Sequence, residues 1–453
     1  MQLARPQCPP IEENMLKRFL DGAPERVARM VSSASDARLL KKYLHWDILR
    51  RLPPPEGMTS EEWWWGLKIQ RLGQYRSVPL KDKKGRPFRY WVPDLIQEQL
   101  HHIDRDAGGV VQATPEAITN PQTRNQYLIR SLVEEAITSS QLEGAVTTRE
   151  VAKDMIRSGR PARDKSERMI LNNFQTMQWI TKIQKQEMTP DLILEMHRRV
   201  TEGTLDEPEM AGRFRRPDQR IVINDIEGDV YHDPPLAAEL PERCQAMCDF
   251  ANGKTPSFFI HPAVRAIILH FWLAYDHPFV DGNGRTARTL FYWAMLHGGF
   301  WLFEYISISP ILKKAKSKYF RTYLYTETDD NDLTYFIDYQ TDVIQQAIKE
   351  LFAYIERKRV EVRELESNMR ALQLFNHRQT DLLGHALKHP RGEYDIQGHQ
   401  KSHGVVYQTA RNDLLELQGK GLLNMHKRGK LMVFTVPSDL ASKLHKLGQK
   451  TPL

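Results

Sequence analysis

The sequence predicts a mainly α-helical protein, and three observations carry that prediction. Apolar residues recur at helical spacing through most of the chain. Strand-type runs are short and confined to two places, near residues 221–231 and 422–436. One polar run, His277 to Arg288, is enclosed by two apolar segments that both read as core helices. Ahead of it, residues 262–275 are apolar on nearly every side, as in a helix buried all round. Behind it, Ala287, Leu290, Phe291 and Ala294 step along one helical face that Gly298-Gly299 ends.

In chain order, residues 1–110 are rich in charge and proline, with expected helices at 12–20, 37–51 and 94–102 and a basic stretch from Lys81 to Arg89. Trp63-Trp64-Trp65 reads as a core anchor. No function is assigned to this region. Residues 123–144 form the next helix: Leu128, Leu132, Ala136, Ser139 and Glu143 share one face, Gly144 caps the end, and Thr147-x-x-Glu150 reads as a capping box for the following helix. Glu143 lies in the last turn, where the helix dipole disfavours an anion, so a nearby cation is expected.

Residues 171–185 and 190–200 are amphipathic helices, and His197 on the second reads as a packed structural residue. Gly212-Arg213-Phe214-Arg215 then leads to Ile221, Val222 and Ile223, a polar turn, and Val230-Tyr231, the pattern of a hairpin. Residues 318–339 complete the helical core, and 341–372 read as a connector helix.

The chemistry is concentrated in the polar dozen. Gly282-Asn283-Gly284 runs into a helix N-terminus, where backbone N–H groups and the dipole favour an anion. Arg285 and Arg288, three apart, leave one face and suit phosphate oxygens. Asp281 is a hard ligand for Mg²⁺ bridging those phosphates, and His277 is a general base with a pKa near neutrality. A structural loop does not require these residues together.

Composition bounds the rest. A chain of 453 residues is long for one core and implies two or three domains. Cys244 and Cys248 read as buried thiols. No charged-then-apolar leader and no membrane-length apolar run occur, so a soluble cytoplasmic protein without a membrane partner is expected. The net charge of +7 is concentrated between Gln373 and Leu453, where twelve Lys and Arg face six Asp and Glu, which points to a polyanion.

The run from His277 to Arg288 fits H-x-F-x-[D/E]-G-N-G-R-x-x-R at every position, and so resembles the Fic family of protein adenylyltransferases. The resemblance covers residues 124–339 and implies a Fic-type helical bundle (111–340) that transfers AMP from Mg-ATP to a Ser, Thr or Tyr hydroxyl of a target protein or of itself. It implies that His277 deprotonates the hydroxyl, Asp281 holds Mg²⁺, and Asn283 with Gly282 and Gly284 binds the α- and β-phosphates. Arg285 then meets the β-phosphate and Arg288 the γ-phosphate. The related Doc kinases carry lysine where this chain has Gly284, which favours adenylylation over phosphorylation. The hairpin at 212–232, with Ile221, Val222, Ile223 and Tyr231, corresponds to the flap that pairs its edge with the target segment.

Ser139-x-x-x-Glu143-Gly144 matches the inhibitory pattern [S/T]-x-x-x-E-[G/N] of regulated Fic proteins, and implies that Glu143 pairs with Arg288 and takes the guanidinium meant for the γ-phosphate. Some relatives also use this glutamate to remove AMP. Residues 373–453 resemble a winged helix-turn-helix, with Thr409, Arg411 and Asn412 on the helix facing a DNA groove and Lys427 to Lys430 in the wing. Protein docking and homodimerisation stand beside DNA contact for that module, and His399 and His403 read as surface residues. The competing readings of function are a nucleotide-sensing DNA-binding regulator, or transfer or removal of another nucleotide group.

Overall fold

The structure is a computed structural model that describes residues 5–10, 24–33, 42–108, 121–219, 221–224, 230–371, 375–390, 392–429 and 431–449. The helix expected at 12–20 lies outside these residues. The chain divides into two compact units, Met1–Gly109 with Arg130–Ile348 and Val110–Ile129 with Lys349–Leu453.

In the first unit, α1 (Pro24–Ser33) and α2 (Ser60–Leu72) share a small core. Trp63, Trp64 and Trp65 are all buried, and because consecutive helical residues point about 100° apart, α2 is enclosed on most of its circumference. A capping box between Thr59 and Glu62 starts it. The basic stretch at 81–89 belongs to an antiparallel hairpin, β1 (Arg76–Lys81) and β2 (Pro87–Tyr90). Its turn is closed by the Asp82 carboxylate, which accepts from the Lys84 and Arg86 amides at 2.9 and 2.8 Å. Of the helix expected at 37–51, positions 37–41 are outside the described residues, and only Trp46–Leu49 is helical within them. His45 caps that turn, and Pro53-Pro54-Pro55 follows it too closely for the helix to extend. Helix α3 (Asp94–Ile103) comes next.

This N-terminal region is built into the same unit as the central helices, although the sequence marks a boundary near residue 110. Lys68 Nζ meets Asp329 Oδ1 at 2.6 Å with both side chains 2% exposed. The Tyr43 and Tyr75 hydroxyls both donate to Asp332 Oδ2 at 2.7 Å.

The centre is a set of helices: α4 (Pro121–Leu142), α5 (Arg149–Ser158), α6 (Lys165–Ile183), α7 (Pro190–Thr201), α8 (Leu240–Ala251), α9 (Pro262–Asp276), α10 (Asn283–His297), α11 (Lys316–Thr328) and α12 (Thr334–Ala371). Helix α9 is buried all round, as its composition requires, and packs along α10, with α6 and α7 against α10 and α8 against α9. Cys244 and Cys248 are buried free thiols on α8. The cap of α5 is Thr148, whose side chain accepts from the Val151 amide, and not Thr147 of the expected capping box. The expected connector is continuous with the core, since α12 begins at Thr334. Between α7 and α8 lies a two-stranded hairpin, β3 (Ile223–Asn224) and β4 (Val230–His232). Ile221 and Val222 precede its first strand, and its turn at 225–229 is outside the described residues.

The second unit contains α13 (His377–Lys388), β5 (Glu393–Asp395), α14 (Ile396–His403), α15 (Tyr407–Gly419), β6 (Asn424–Arg428), β7 (Leu431–Thr435) and α16 (Leu440–Gln449). The three strands form an antiparallel sheet in the order β5-β7-β6. Leu422 and Leu423, expected in a strand, bury their side chains from the turn before β6. His399 is buried rather than at the surface: its Nε2 lies 3.3 Å from Asp413, which also pairs with Arg378 at 2.7 Å.

Replacing Lys68 with alanine leaves the Asp329 carboxylate buried without its cation and costs about 3–5 kcal/mol. Denaturant unfolding checks this, and Asp329→Asn added to the Lys68→Ala chain recovers part of the loss.

Candidate active site

The loop joining α9 to α10 begins and ends on left-handed residues. His277 closes α9 at φ 45°, ψ 55°, its amide donating to Leu273 O at 3.1 Å. A non-glycine residue there stores strain of about 1–3 kcal/mol, which its surroundings must hold. Gly282 opens α10 at φ 82°, and a Cβ on it would overlap the Thr201 methyl, so both torsion and space require glycine. Between them the Asn283 side chain staples the loop, accepting from Phe279 N at 3.0 Å and donating to Phe279 O at 2.8 Å. Its amide is thus spent on loop shape, and what position 283 offers a ligand is its backbone N–H at the helix start.

The His277 ring lies with Nδ1 3.3 Å from Ala274 O. A carbonyl only accepts, so Nδ1 carries the proton and Nε2 keeps the lone pair. Burial and then the nearby His232 lower the pKa of His277 to about 4, so it is neutral at physiological pH. Asp281 keeps a half-exposed carboxylate. Oδ1 accepts from the Gly282 amide at 2.6 Å, and Oδ2 is 3.8 Å from Arg285 Nη2. Arg285 is fully buried; its Nη1 donates to Val200 O at 2.7 Å, while Nε and Nη2 have no hydrogen-bond partner. Burial lowers the pKa of that guanidinium.

Arg288 is held from α4. Its Nε donates to Ser139 Oγ at 2.8 Å and its Nη2 donates to Ser139 O at 3.0 Å and to Glu143 Oε1 at 2.8 Å. Four-residue spacing on α4 puts Ser139 and the Glu143 position over the same guanidinium. The Glu143 carboxylate also lies against Gly284, close enough that a Cβ there would overlap it. It therefore sits at the N-terminus of α10 as well as beside Arg288, which satisfies a charge that the C-terminus of α4 disfavours. Desolvation pushes the Glu143 pKa up, but Arg288, then Arg285 and His277, hold it below the ordinary glutamate value. Its side chain keeps 28% exposure against 2% for Arg288. The pair therefore falls between an exposed one, worth about 0–1 kcal/mol, and a buried one, whose disruption costs about 3–5 kcal/mol.

Sequence reasoning passed over Glu135 and His232 and gave His197 and Arg215 no role at this site. Glu135, one turn before Ser139, is buried and accepts from Tyr292 Oη at 2.9 Å, Ser307 Oγ at 2.8 Å and the Ser309 amide at 3.0 Å, fixing α4 against α10. His197 is a packed residue as expected, but it packs on the loop: its Nε2 is 2.9 Å from Asp281 O, and its ring stacks 3.7 Å from that of Phe279. Arg215 donates from Nε to His277 O at 2.9 Å. His232, at the foot of the hairpin, sets Nε2 2.7 Å from Tyr275 O and Nδ1 2.9 Å from Glu327 Oε2. Two acceptors require two N–H groups, so His232 is an imidazolium. Burial opposes that charge, but Glu327 prevails and raises its pKa. The usable signal was an unexplained charge: an acid one turn before Ser139, and an arginine in the run leading to the hairpin.

The site residues from His277 to Arg288, with Ser139 and Glu143, thus meet in one place. Ile221, Val222, Ile223 and Tyr231 lie on or beside the hairpin whose foot is tied to α9 through His232. Among the described residues no cluster of three or more His, Cys, Asp or Glu is arranged to hold a metal by itself, and no helix is long and apolar enough to cross a membrane.

Residues 187–295 match the Fic/DOC family. A protein adenylyltransferase Fic from Nematostella vectensis is 39% identical over 121 residues, 26% of this chain and 26% of that protein. The protein of the same name from Drosophila erecta is 27% identical over 267 residues, 57% of this chain and 48% of that one. The chain thus spans from about a quarter to about a half of these curated relatives. The crystal structure of a Fic family protein from Desulfovibrio desulfuricans G20 is similar in fold, with a TM-score of 0.51 and 19% identity over 76% of this chain and 95% of that one.

Proposed function

We propose that this chain, which carries a Fic domain, is a protein adenylyltransferase held inactive by its own Glu143. The observation that supports this best is the Glu143 carboxylate lying on Arg288 and at the α10 N-terminus together, where the end of a triphosphate would otherwise be received. In this reading the α10 amides and the partnerless N–H groups of Arg285 bind phosphate oxygens, and Arg288, once released, binds the γ-phosphate. The lone pair on His277 Nε2 takes the proton of a Ser, Thr or Tyr hydroxyl whose oxygen bonds to the α-phosphorus. The bond from that phosphorus to the bridging oxygen breaks, and pyrophosphate leaves. The edge of the β3–β4 hairpin pairs with the backbone of the target segment.

Mg²⁺ fits beside Asp281, whose half-exposed carboxylate is the one metal-type oxygen ligand in the loop, so most of the coordination would come from phosphate and water. When bound, the ion neutralises charge on the phosphates. Ser139 acts by fixing the Arg288 rotamer, and Asn283 by shaping the loop rather than through its amide.

For the second unit we infer nucleic-acid contact through a winged-helix arrangement. Tyr407, Gln408 and Asn412 are exposed on α15, and His426, Lys427 and Arg428 are all exposed on β6, while Thr409 and Arg411 are half-buried and less available. Lys430 is outside the described residues. The exposed cations carry this reading.

Incubation with ATP labelled at the α-phosphate tests the enzyme. Glu143→Gly should raise label on protein at least about tenfold, and His277→Ala or Arg288→Ala in that background should abolish it. Because His277 already titrates near 4 and loses a charge that raised it, kcat/KM of the variant should stay flat from pH 6 to 8 with no inflection near 6.5. Absence of label in every variant would favour a nucleotide sensor instead. For the second unit, fluorescence anisotropy of the full chain with a labelled 24-base-pair duplex at low salt should show binding that Lys427→Ala with Arg428→Ala weakens roughly 3- to 30-fold. No binding at low salt would dismiss it.

A further inference from the structure

Among the described residues Arg215 has no hydrogen bond to the phosphate-binding residues or to the inhibitory pair, yet it joins the loop to the segments that flank the hairpin. Its backbone amide donates to Pro278 O at 2.9 Å and its Nε donates to His277 O at 2.9 Å. Its Nη2 donates to Pro235 O. One buried residue therefore holds two successive carbonyls of the strained turn, Pro278 O through its amide and His277 O through its guanidinium, and with the same guanidinium a carbonyl just beyond the hairpin, while Arg215 itself lies just before it. Both ends of the 216–234 segment are thereby tied to the residue that carries the base. The guanidinium is needed for its shape: Nε and Nη2 diverge toward two acceptors from a planar group, which an ammonium cannot reproduce.

The strain at His277 gives the contact its consequence. A non-glycine residue at φ 45° returns toward a relaxed backbone unless its flanking peptides are restrained. The restraint at the amide is helical, from Leu273 O; the restraint at the carbonyl is Arg215. Releasing the carbonyl lets the peptide rotate, and the ring then loses its contact with Ala274 O, which at 3.3 Å is already long. The proton on Nδ1 is no longer specified, and neither is the nitrogen facing the substrate.

We propose that Arg215 is a positioning residue for the transfer reaction: it fixes the backbone of His277, and with it the tautomer and aim of the imidazole, relative to the hairpin that docks the acceptor hydroxyl. This inference rests on the adenylyltransferase reading for its kinetic consequence but not for its structural one. An arginine with only a folding role would lower stability and nucleotide binding together. A positioning arginine changes turnover and the His277 tautomer while nucleotide binding survives.

The experiment uses the full chain with Arg215→Lys and Arg215→Ala, each made alone and in the Glu143→Gly background. Nitrogen-15 NMR of histidine-labelled protein at pH 7 should show His277 as the Nδ1–H tautomer in the parent and as a tautomer mixture in both Arg215 variants. Labelling kinetics should show kcat down about 10- to 100-fold with KM for ATP within about threefold, a displacement of the base being able to cost that much. An unchanged tautomer, or equal loss of nucleotide affinity and turnover in Arg215→Lys, overturns the inference. If Glu143→Gly shows no labelling at all, the adenylyltransferase reading fails, and the tautomer measurement still decides the role of Arg215.

Discussion

One carboxylate and one guanidinium organise this site. Glu143 lies where three favourable fields converge, the Arg288 charge, the Arg285 charge behind it and the N-terminus of α10, and it escapes the unfavourable end of its own helix by being there. An anion-binding place built to this strength is satisfied in the folded chain by an internal anion. The remaining geometry follows from it. Gly284 has no Cβ to exclude the carboxylate, Ser139 presents its hydroxyl to Nε of Arg288 and its carbonyl to the same Nη2 that meets Glu143, and Glu135 ties α4 to α10 so that the register cannot slide.

The exposure asymmetry of the pair matters to how such a device works. Arg288 is committed to the interior, whereas Glu143 keeps contact with solvent. Displacing the carboxylate therefore leaves a hydrated anion and a buried cation ready for another, and the cost is less than a fully buried pair would impose. His277, the base in the proposed reaction, needs no such release. His277 is neutral, its proton is placed on Nδ1 by Ala274 O, and its strained backbone is held at the carbonyl by Arg215.

Much of the site was legible in the chain because its chemistry is contiguous. The twelve residues from His277 to Arg288 announce an anion cradle, and the spacing of Ser139 and Glu143 announces one helical face. What was not legible depends on partners distant in sequence. Arg215 finds a carbonyl 62 positions away, His197 one 84 away, and Glu135 hydroxyls more than 150 away. The helical class followed from periodicity, but the hairpin at 76–90 was hidden by its lysines and arginines. Its clue was the Asp82 to Gly85 turn between alternating apolar residues. The separate N-terminal region suggested by proline content dissolved for the same reason as the missed contacts, since Lys68 pairs with Asp329 261 residues on.

The claim that Glu143 occupies the place of a terminal phosphate is tested most directly by calorimetric titration of Mg-ATP and Mg-ADP into the native chain and into Glu143→Gly. If the carboxylate displaces the γ-phosphate from Arg288, the native chain binds the two nucleotides within about threefold of each other, and the variant prefers ATP by about tenfold or more. The same ATP-to-ADP ratio in both proteins would contradict it.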